Sequence, residues 1–153
     1  MSTVEDRLKA MGVELPQPLA PVANYVPFVR SGNLVHISGQ ISIAADGGIK
    51  GTVGVDVDLE TAQVAARLCG VNLLAQMKAA CDGDLERVVR VVKLGGFVQA
   101  GPDFIDIPKV INGCSDLMVE ALGDKGRHAR SAVGVYKLPL GFAVEVDAVV
   151  EIA

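Results

Sequence analysis

The sequence predicts an α+β fold, a single β-sheet with two helices packed on one face. Three observations carry this prediction. Asp58 is a good N-cap, and Leu59, Ala62, Ala66, Cys69, Leu73, Met77 and Ala80 follow it at helical spacing. A second apolar stripe, Val110, Ile111, Cys114, Leu117, Met118 and Ala121, runs between Asp106 and Gly123, with Pro108 near the first helical position. At the C-terminus, Val144, Val146, Ala148, Val150 and Ile152 alternate with Glu145, Asp147, Val149 and Glu151, the period of a strand with one buried face.

The remaining elements follow in chain order. Ser2 with Glu5 three residues on is a capping-box signature, and Val4, Leu8 and Met11 recur at helical spacing before Gly12. Leu15-Pro-Gln-Pro-Leu-Ala-Pro21 forbids regular structure and reads as an extended connector. The chain thus divides into an N-terminal helix and connector over 1–23 and a main domain over 24–153. Asn24–Arg30 reads as a strand ended by the Ser31-Gly-Asn33 turn, and Leu34–Ile37 as a short second strand. Ile41–Ile43 running into Asp46-Gly47-Gly48 is a hairpin signal. Asp82-Gly-Asp84 ends the long helix. Val88–Leu94, β-branched and apolar on both faces, reads as a covered central strand. After the second helix come two strands joined by Leu138-Pro139-Leu140-Gly141, and pairing through that turn would bring Glu145 near the preceding strand.

Composition bounds the function. The chain has 153 residues, half of them hydrophobic, which fits one domain and excludes a disordered chain. Despite a mean hydropathy of +0.40, no uncharged apolar run reaches the length of a membrane span. The N-terminus lacks the apolar core of a secretory signal, so a cytoplasmic protein is expected. A net charge of −4 and the shortage of aromatics argue against nucleic acid, Lys125, Arg127, His128 and Arg130 forming the one compact basic patch. Cys69, Cys81 and Cys114 are scattered and odd in number, the pattern of buried thiols in a reducing compartment. His36 and His128 stand in no ligand spacing, so no metal is expected. Half-apolar composition is generous for so small a monomer, and self-association is the expected destination of the excess.

Nucleotide, zinc-protease and serine-hydrolase motifs are all missing. Gly95-Gly96 reads as a bulge or a close backbone approach rather than a phosphate site. Arg130, entering a strand of small residues, suits a carboxylate clamp, although a solvated loop arginine is commoner. Glu145 and Asp147 face the same way and suit proton transfer to or from water, although a solvated strand face is commoner. Tyr25 opens a strand, Ser38-Gly39-Gln40 allows close backbone approach to a ligand, and Asn112 can point from its helix into a cleft. His36, inside an apolar strand, reads as a packed histidine. None of these decides singly.

Taken together they do. Tyr25, Ser31-Gly-Asn-Leu-Val-His-Ile-Ser-Gly-Gln40, the strand Val88–Leu94, Asn112, Ala129-Arg-Ser131, Leu138-Pro139 and Val144-Glu145-Val146 resemble the RidA/YjgF family, also called the L-PSP endoribonuclease family. The resemblance runs from about Tyr25 to the C-terminus. It implies a chorismate-mutase-like fold (bacillus type), one mixed β-sheet with two helices on one face, assembled as homotrimers with clefts between subunits. It further implies cofactor-free hydrolysis of reactive 2-enamines and 2-imines, such as 2-aminoacrylate, to 2-keto acids and ammonia. On that resemblance Arg130 holds the substrate carboxylate and Glu145 orients or activates water. Tyr25, Ser38, Gly39, Asn112 and Ala132 line the pocket. Ala132 stands where the family commonly has cysteine. The N-terminal helix, the connector and the loop Gly123–Arg127 look like features of a longer branch. Two other classes compete: a non-catalytic binder of keto or amino acids, and an endoribonuclease or translation inhibitor.

Overall fold

The structure, a computed structural model, describes residues 3–18, 20 and 23–153. Its elements are α1 (Val4–Ala10), β1 (Phe28–Ser31), β2 (Leu34–Ile41), α2 (Leu59–Ala80), β3 (Val88–Gln99), α3 (Ile107–Leu122), β4 (Ala129–Val135) and β5 (Val144–Ile152). The strands form one mixed sheet in the order β1-β2-β5-β3-β4, antiparallel throughout except for the β3–β4 pair, which α3 connects as a crossover. Helices α2 and α3 cover one face. No described helix is long and apolar enough to cross a membrane.

Sequence periodicity places these elements correctly where the pattern is long. Helix α2 starts after Asp58, whose side chain accepts the Thr61 N–H, and α3 ends at Gly123, which takes a φ of +66°. In β5 the five apolar positions are buried under the helices and Glu145, Asp147, Val149 and Glu151 face the other way. The three cysteines are buried and unpaired. Burial pushes the Cys114 thiol up to about 12, so the group behaves as a small apolar side chain.

Other expectations need correction. Ser2 falls outside the described residues, as do Leu19 and Pro21 of the connector; the capping box that forms is Thr3 with Asp6. Residues 24–27 are not strand: Pro27 has no N–H to give a ladder, and only its carbonyl pairs, with Ser38 N–H at 2.9 Å. Strand β2 runs on to Ile41 through a bulge between Ile37 and Gln40. No second hairpin strand follows Asp46-Gly47-Gly48. Ile49 N–H closes the loop onto Ser42 O at 2.9 Å, and the chain makes one isolated bridge, Lys50 with Phe142. Strand β3 continues past Leu94 to Gln99.

Two corrections bear on function. Strand β5 does not pair with β4; it inserts between β2 and β3, so β3 separates the last two strands. Strand β3 is covered on one face only, because two bulges, between Val88 and Arg90 and between Val91 and Lys93, leave Val89, Arg90, Val92 and Lys93 all exposed. With Val29, Leu34 and Val133 also exposed, the uncovered sheet face is apolar for a surface. His36 lies there too, exposed between Val29 and Val149 rather than packed in the core.

Helix α1 is tied to this body at three points. Arg7 Nε donates to Ala121 O at 2.9 Å, Val4 N–H to Glu86 Oε2 at 2.7 Å, and Lys78 Nζ lies 2.8 Å from Glu5 Oε1. Glycine lets the layers close. A Cβ on Gly96 would meet the Ile111 side chain 2.7 Å away, and one on Gly113 would overlap the backbone carbonyl of Gln63. The Gln63 carbonyl belongs to a helix and cannot swing aside as a side chain can. Gly113→Ala is therefore expected to cost roughly 2 kcal/mol through forced separation of α2 and α3, seen as a drop of about 4–8 °C in Tm. An unchanged Tm in calorimetry would refute the close-contact argument.

Candidate active site

The predicted residues gather in two clusters. The first is built by α3 and β4. Arg130 sits opposite Leu94 of β3 and points to the helix-covered side, along the exposed edge of the sheet. Asn112 and Ser115, three residues apart and so on one helix face, meet it there. Arg130 Nη1 donates to Asn112 Oδ1 at 2.9 Å and to Ser115 Oγ at 3.2 Å, and Nη2 donates to Pro108 O at 3.4 Å. All three acceptors are neutral, and among the described residues no carboxylate pairs with this guanidinium. Two of its five N–H donors, Nε–H and one on Nη2, have no protein acceptor. Ala132 follows two residues later, opposite Gly96 and packed against the core, with its backbone on the same free edge.

The second cluster surrounds Glu145 on the other face of the sheet. A Cβ on Gly39 would overlap the Glu145 carboxylate, so the β2 bulge at Ser38-Gly39 makes the space this side chain occupies. Ser38 ties the Tyr25 segment to the bulge, its Oγ donating to Val26 O at 2.9 Å. Tyr25, Ser38, Gly39, Leu140 and Glu145 line a cleft of roughly 320 Å³. Tyr25 is 49% exposed at its mouth. Leu140, exposed on the rim, holds a φ of +61°, an uncommon conformation for a leucine. Glu145 accepts no hydrogen bond from a described residue. Burial, then the charge of Asp147, pushes its carboxyl above the usual range. Asp147 is also raised by burial, against the Gly95 N–H and Lys93, which lower it.

These clusters cannot serve one small ligand within a single chain. The residue opposite Arg130 across β3 is Ala148 of β5, three positions beyond Glu145 and on the other face. Two strand spacings and three residue rises put the backbones on the order of 14 Å apart, with the side chains on opposite sides of the sheet. The expectation that the Leu138–Gly141 turn would bring them together fails because β3 lies between. A larger cleft of about 730 Å³, between Val55, Phe104, Ile105 and Tyr136, is mostly apolar and holds none of the predicted site residues.

Ser115 and His128 were not among the sequence candidates. His128 Nε2 lies 2.9 Å from Ser115 Oγ, and Nδ1 lies 2.6 Å from Gly126 O. The available signals were the i, i+3 spacing of Ser115 from Asn112 and the placing of His128 two residues before Arg130. Of the basic patch, Arg127 is turned to Asp124 at 3.4 Å.

Residues 5–151 match the family model described as "YjgF/chorismate_mutase-like, putative endoribonuclease". The chain belongs to the YjgF family. Within and around that family, it is 47% identical over 151 residues to Protein TCP17 of Trypanosoma cruzi, covering 97% of this chain and 94% of that one. The crystal structure of Atu1372, a protein of unknown function from Agrobacterium tumefaciens, superposes with a TM-score of 0.93 at 51% identity, covering 98% and 92% of the two chains. RidA from an Antarctic Psychrobacter superposes with a TM-score of 0.62 at 28% identity, covering 89% and 94%. The mixed sheet with its two covering helices is thus the YjgF fold, as the sequence resemblance implied.

The raised Glu145 carboxyl has a consequence for stability. The folded YjgF-family chain takes up this proton at higher pH than the unfolded chain does. Stability therefore falls as pH rises from the ordinary carboxylate range through the raised value, and the cost persists above it. Glu145→Gln removes that cost. Its Tm is expected to exceed the parent's at about pH 7–8, with the difference vanishing below about pH 3.5, where both states are protonated. A Tm difference constant across that range, followed by circular dichroism, would contradict the assignment.

Proposed function

We propose that this YjgF-family chain hydrolyses reactive 2-enamines and 2-imines, such as 2-aminoacrylate, to 2-keto acids and ammonia, at sites shared between subunits of a homotrimer. One observation carries the reading. Arg130 is a half-buried guanidinium held in place by three neutral acceptors, with no anion beside it and two donors to spare. A charge so placed calls for an anionic ligand, and a carboxylate matches its planar donors.

The chemistry needs an electrophilic carbon, a water and a proton carrier. An enamine becomes an imine by taking a proton at its β-carbon. With the carboxylate on Arg130, water adds to the imine carbon and Glu145 accepts its proton. The resulting carbinolamine receives that proton on nitrogen, the C–N bond breaks, and ammonia leaves as the carbonyl forms. A carboxyl lifted above the usual range is suited to carry the proton both ways. Tyr25, Ser38 and Gly39 shape the Glu145 side of the pocket, and Asn112 and Ala132 the Arg130 side.

The separation of the two clusters favours a site completed by a neighbour. If the Arg130 edge of one subunit docks beside the Glu145 cleft of the next, each interface holds one whole site. The apolar uncovered sheet face supports such an assembly. The endoribonuclease reading suggested by the family description rests on the basic segment around Arg127, whose charge is partly spent on Asp124.

Arg130→Ala is expected to keep the oligomer and to lower kcat/KM for freshly generated 2-iminoacids by about 10²–10³-fold, read as ammonia release. Wild-type activity in that variant sinks the mechanism. Glu145→Gln should be equally poor. Co-refolding equal amounts of the two inactive variants tests the shared site: random assortment gives about one whole site in four, and activity near a quarter of the parent's should return. No recovery would place both groups in one chain's site.

A further inference from the structure

We propose that His128 is a positioning residue for the Arg130 carboxylate site, acting through the Ser115 hydroxyl. The proposal rests on Arg130 being that site and goes beyond it by assigning what holds the guanidinium. The Gly126 carbonyl can only accept, so the proton 2.6 Å from it belongs to His128 Nδ1. In the neutral ring, Nε2 then carries the lone pair and accepts from Ser115 Oγ–H at 2.9 Å. The one Ser115 proton is committed, which turns the hydroxyl lone pairs toward Arg130 Nη1 at 3.2 Å. Asn112 Oδ1 takes the other Nη1 proton. The sequence of donors is therefore consistent from end to end: Arg130 to Ser115, Ser115 to His128, His128 to the Gly126 carbonyl.

Each end of this relay is fixed. A helical serine deprived of an outside acceptor turns its hydroxyl to the carbonyl one turn earlier, here Ile111, and its lone pairs leave Arg130. His128 prevents that. At the other end, a Cβ on Gly126 would overlap the Met118 carbonyl, so only glycine lets the short helical turn Gly123–Gly126 lie so close to α3. That close approach sets the carbonyl that selects the histidine tautomer. The loop Gly123–Arg127 thereby acquires a role: it carries the acceptor that orients His128, which orients Ser115, which holds Arg130 with Nε–H and one Nη2–H free.

Binding of pyruvate, a simple 2-keto acid, measured by calorimetry on the intact oligomer, tests this apart from turnover. His128→Asn keeps a donor near the Gly126 carbonyl but has no acceptor at the Nε2 position; His128→Gln reaches that position with its side-chain oxygen. His128→Asn is expected to weaken pyruvate binding about tenfold, His128→Gln to recover most of it, and Ser115→Ala to weaken it by a similar factor. In the double variant Ser115→Ala/His128→Asn, the two losses should not multiply, because they interrupt one relay. With imine substrate the same variants should raise KM and leave kcat nearly unchanged, the signature of lost uniform binding. Arg130→Ala is the control for the underlying site. If it binds pyruvate as the parent does, the carboxylate reading itself fails. If Arg130→Ala loses binding but His128→Asn does not, the site stands and the relay is wrong. Multiplying losses, or no rescue by His128→Gln, would also overturn the relay. Should His128→Asn fail to fold, Ser115→Ala alone decides by the same binding criterion.

Discussion

Strand β5 enters the sheet between β2 and β3, and its alternating side chains fix which face of the whole sheet is covered. Val144, Val146, Ala148, Val150 and Ile152 are drawn under α2 and α3, so their neighbours in register, Val35 and Ile37 on one side and Val91, Leu94 and Val98 on the other, must face the same way. Glu145 and Asp147 are thereby committed to the bare face. Arg130, in register with Leu94, is committed to the helix face. A shift of one residue in β5 would exchange both assignments. The division of the candidate site into an arginine half and an acid half is a direct result of this register, and no side-chain rotation undoes it.

That constraint also explains what could be read from the sequence. Elements whose identity rests on local period were legible: the α2 and α3 stripes, their caps, and the alternation of β5. Strand neighbours were not, because consecutive strands pair in most folds but not all, and nothing near residues 136–143 announces that β5 crosses β3 to pair with β2. The β3 bulges were hidden for a related reason. In Val88–Leu94 apolar residues occupy both faces, so the run reads as doubly covered, whereas the bulges turn Val89 with Arg90 and Val92 with Lys93 to the open side together. Of the site, Arg130, Glu145, Tyr25, Ser38, Gly39, Asn112 and Ala132 were named from the resemblance. Ser115 and His128 were missed because the contact joining them depends on the fold of residues 123–128 against α3, which no spacing encodes.

The energetics of the two halves are complementary. Arg130 keeps an unneutralised charge in a half-buried setting, satisfied only by dipoles, while Glu145 and Asp147 crowd two acids onto a partly buried surface where ionisation is disfavoured. Each arrangement is costly alone. A carboxylate ligand would neutralise the first, and a water or a departing ammonia would give the second a donor. Strain at Leu140 and the glycine-made space over Glu145 belong to the same picture, since both are features a purely structural strand end does not require.

The apolar excess of the composition divides accordingly. The face under α2 and α3 is a packed interior of Val, Ile, Leu, Ala and buried Cys, complete without any partner. What remains is Val29, Leu34, Val89, Val92 and Val133 on the uncovered face. These residues stabilise nothing in the isolated chain; their hydrophobic contribution appears only when another surface removes them from water. A neighbour that covers them need only lie with its β4 edge toward the Glu145 cleft to join an arginine half to an acid half. The same register that separates the two groups within a chain thus makes subunit contact the natural way to reunite them.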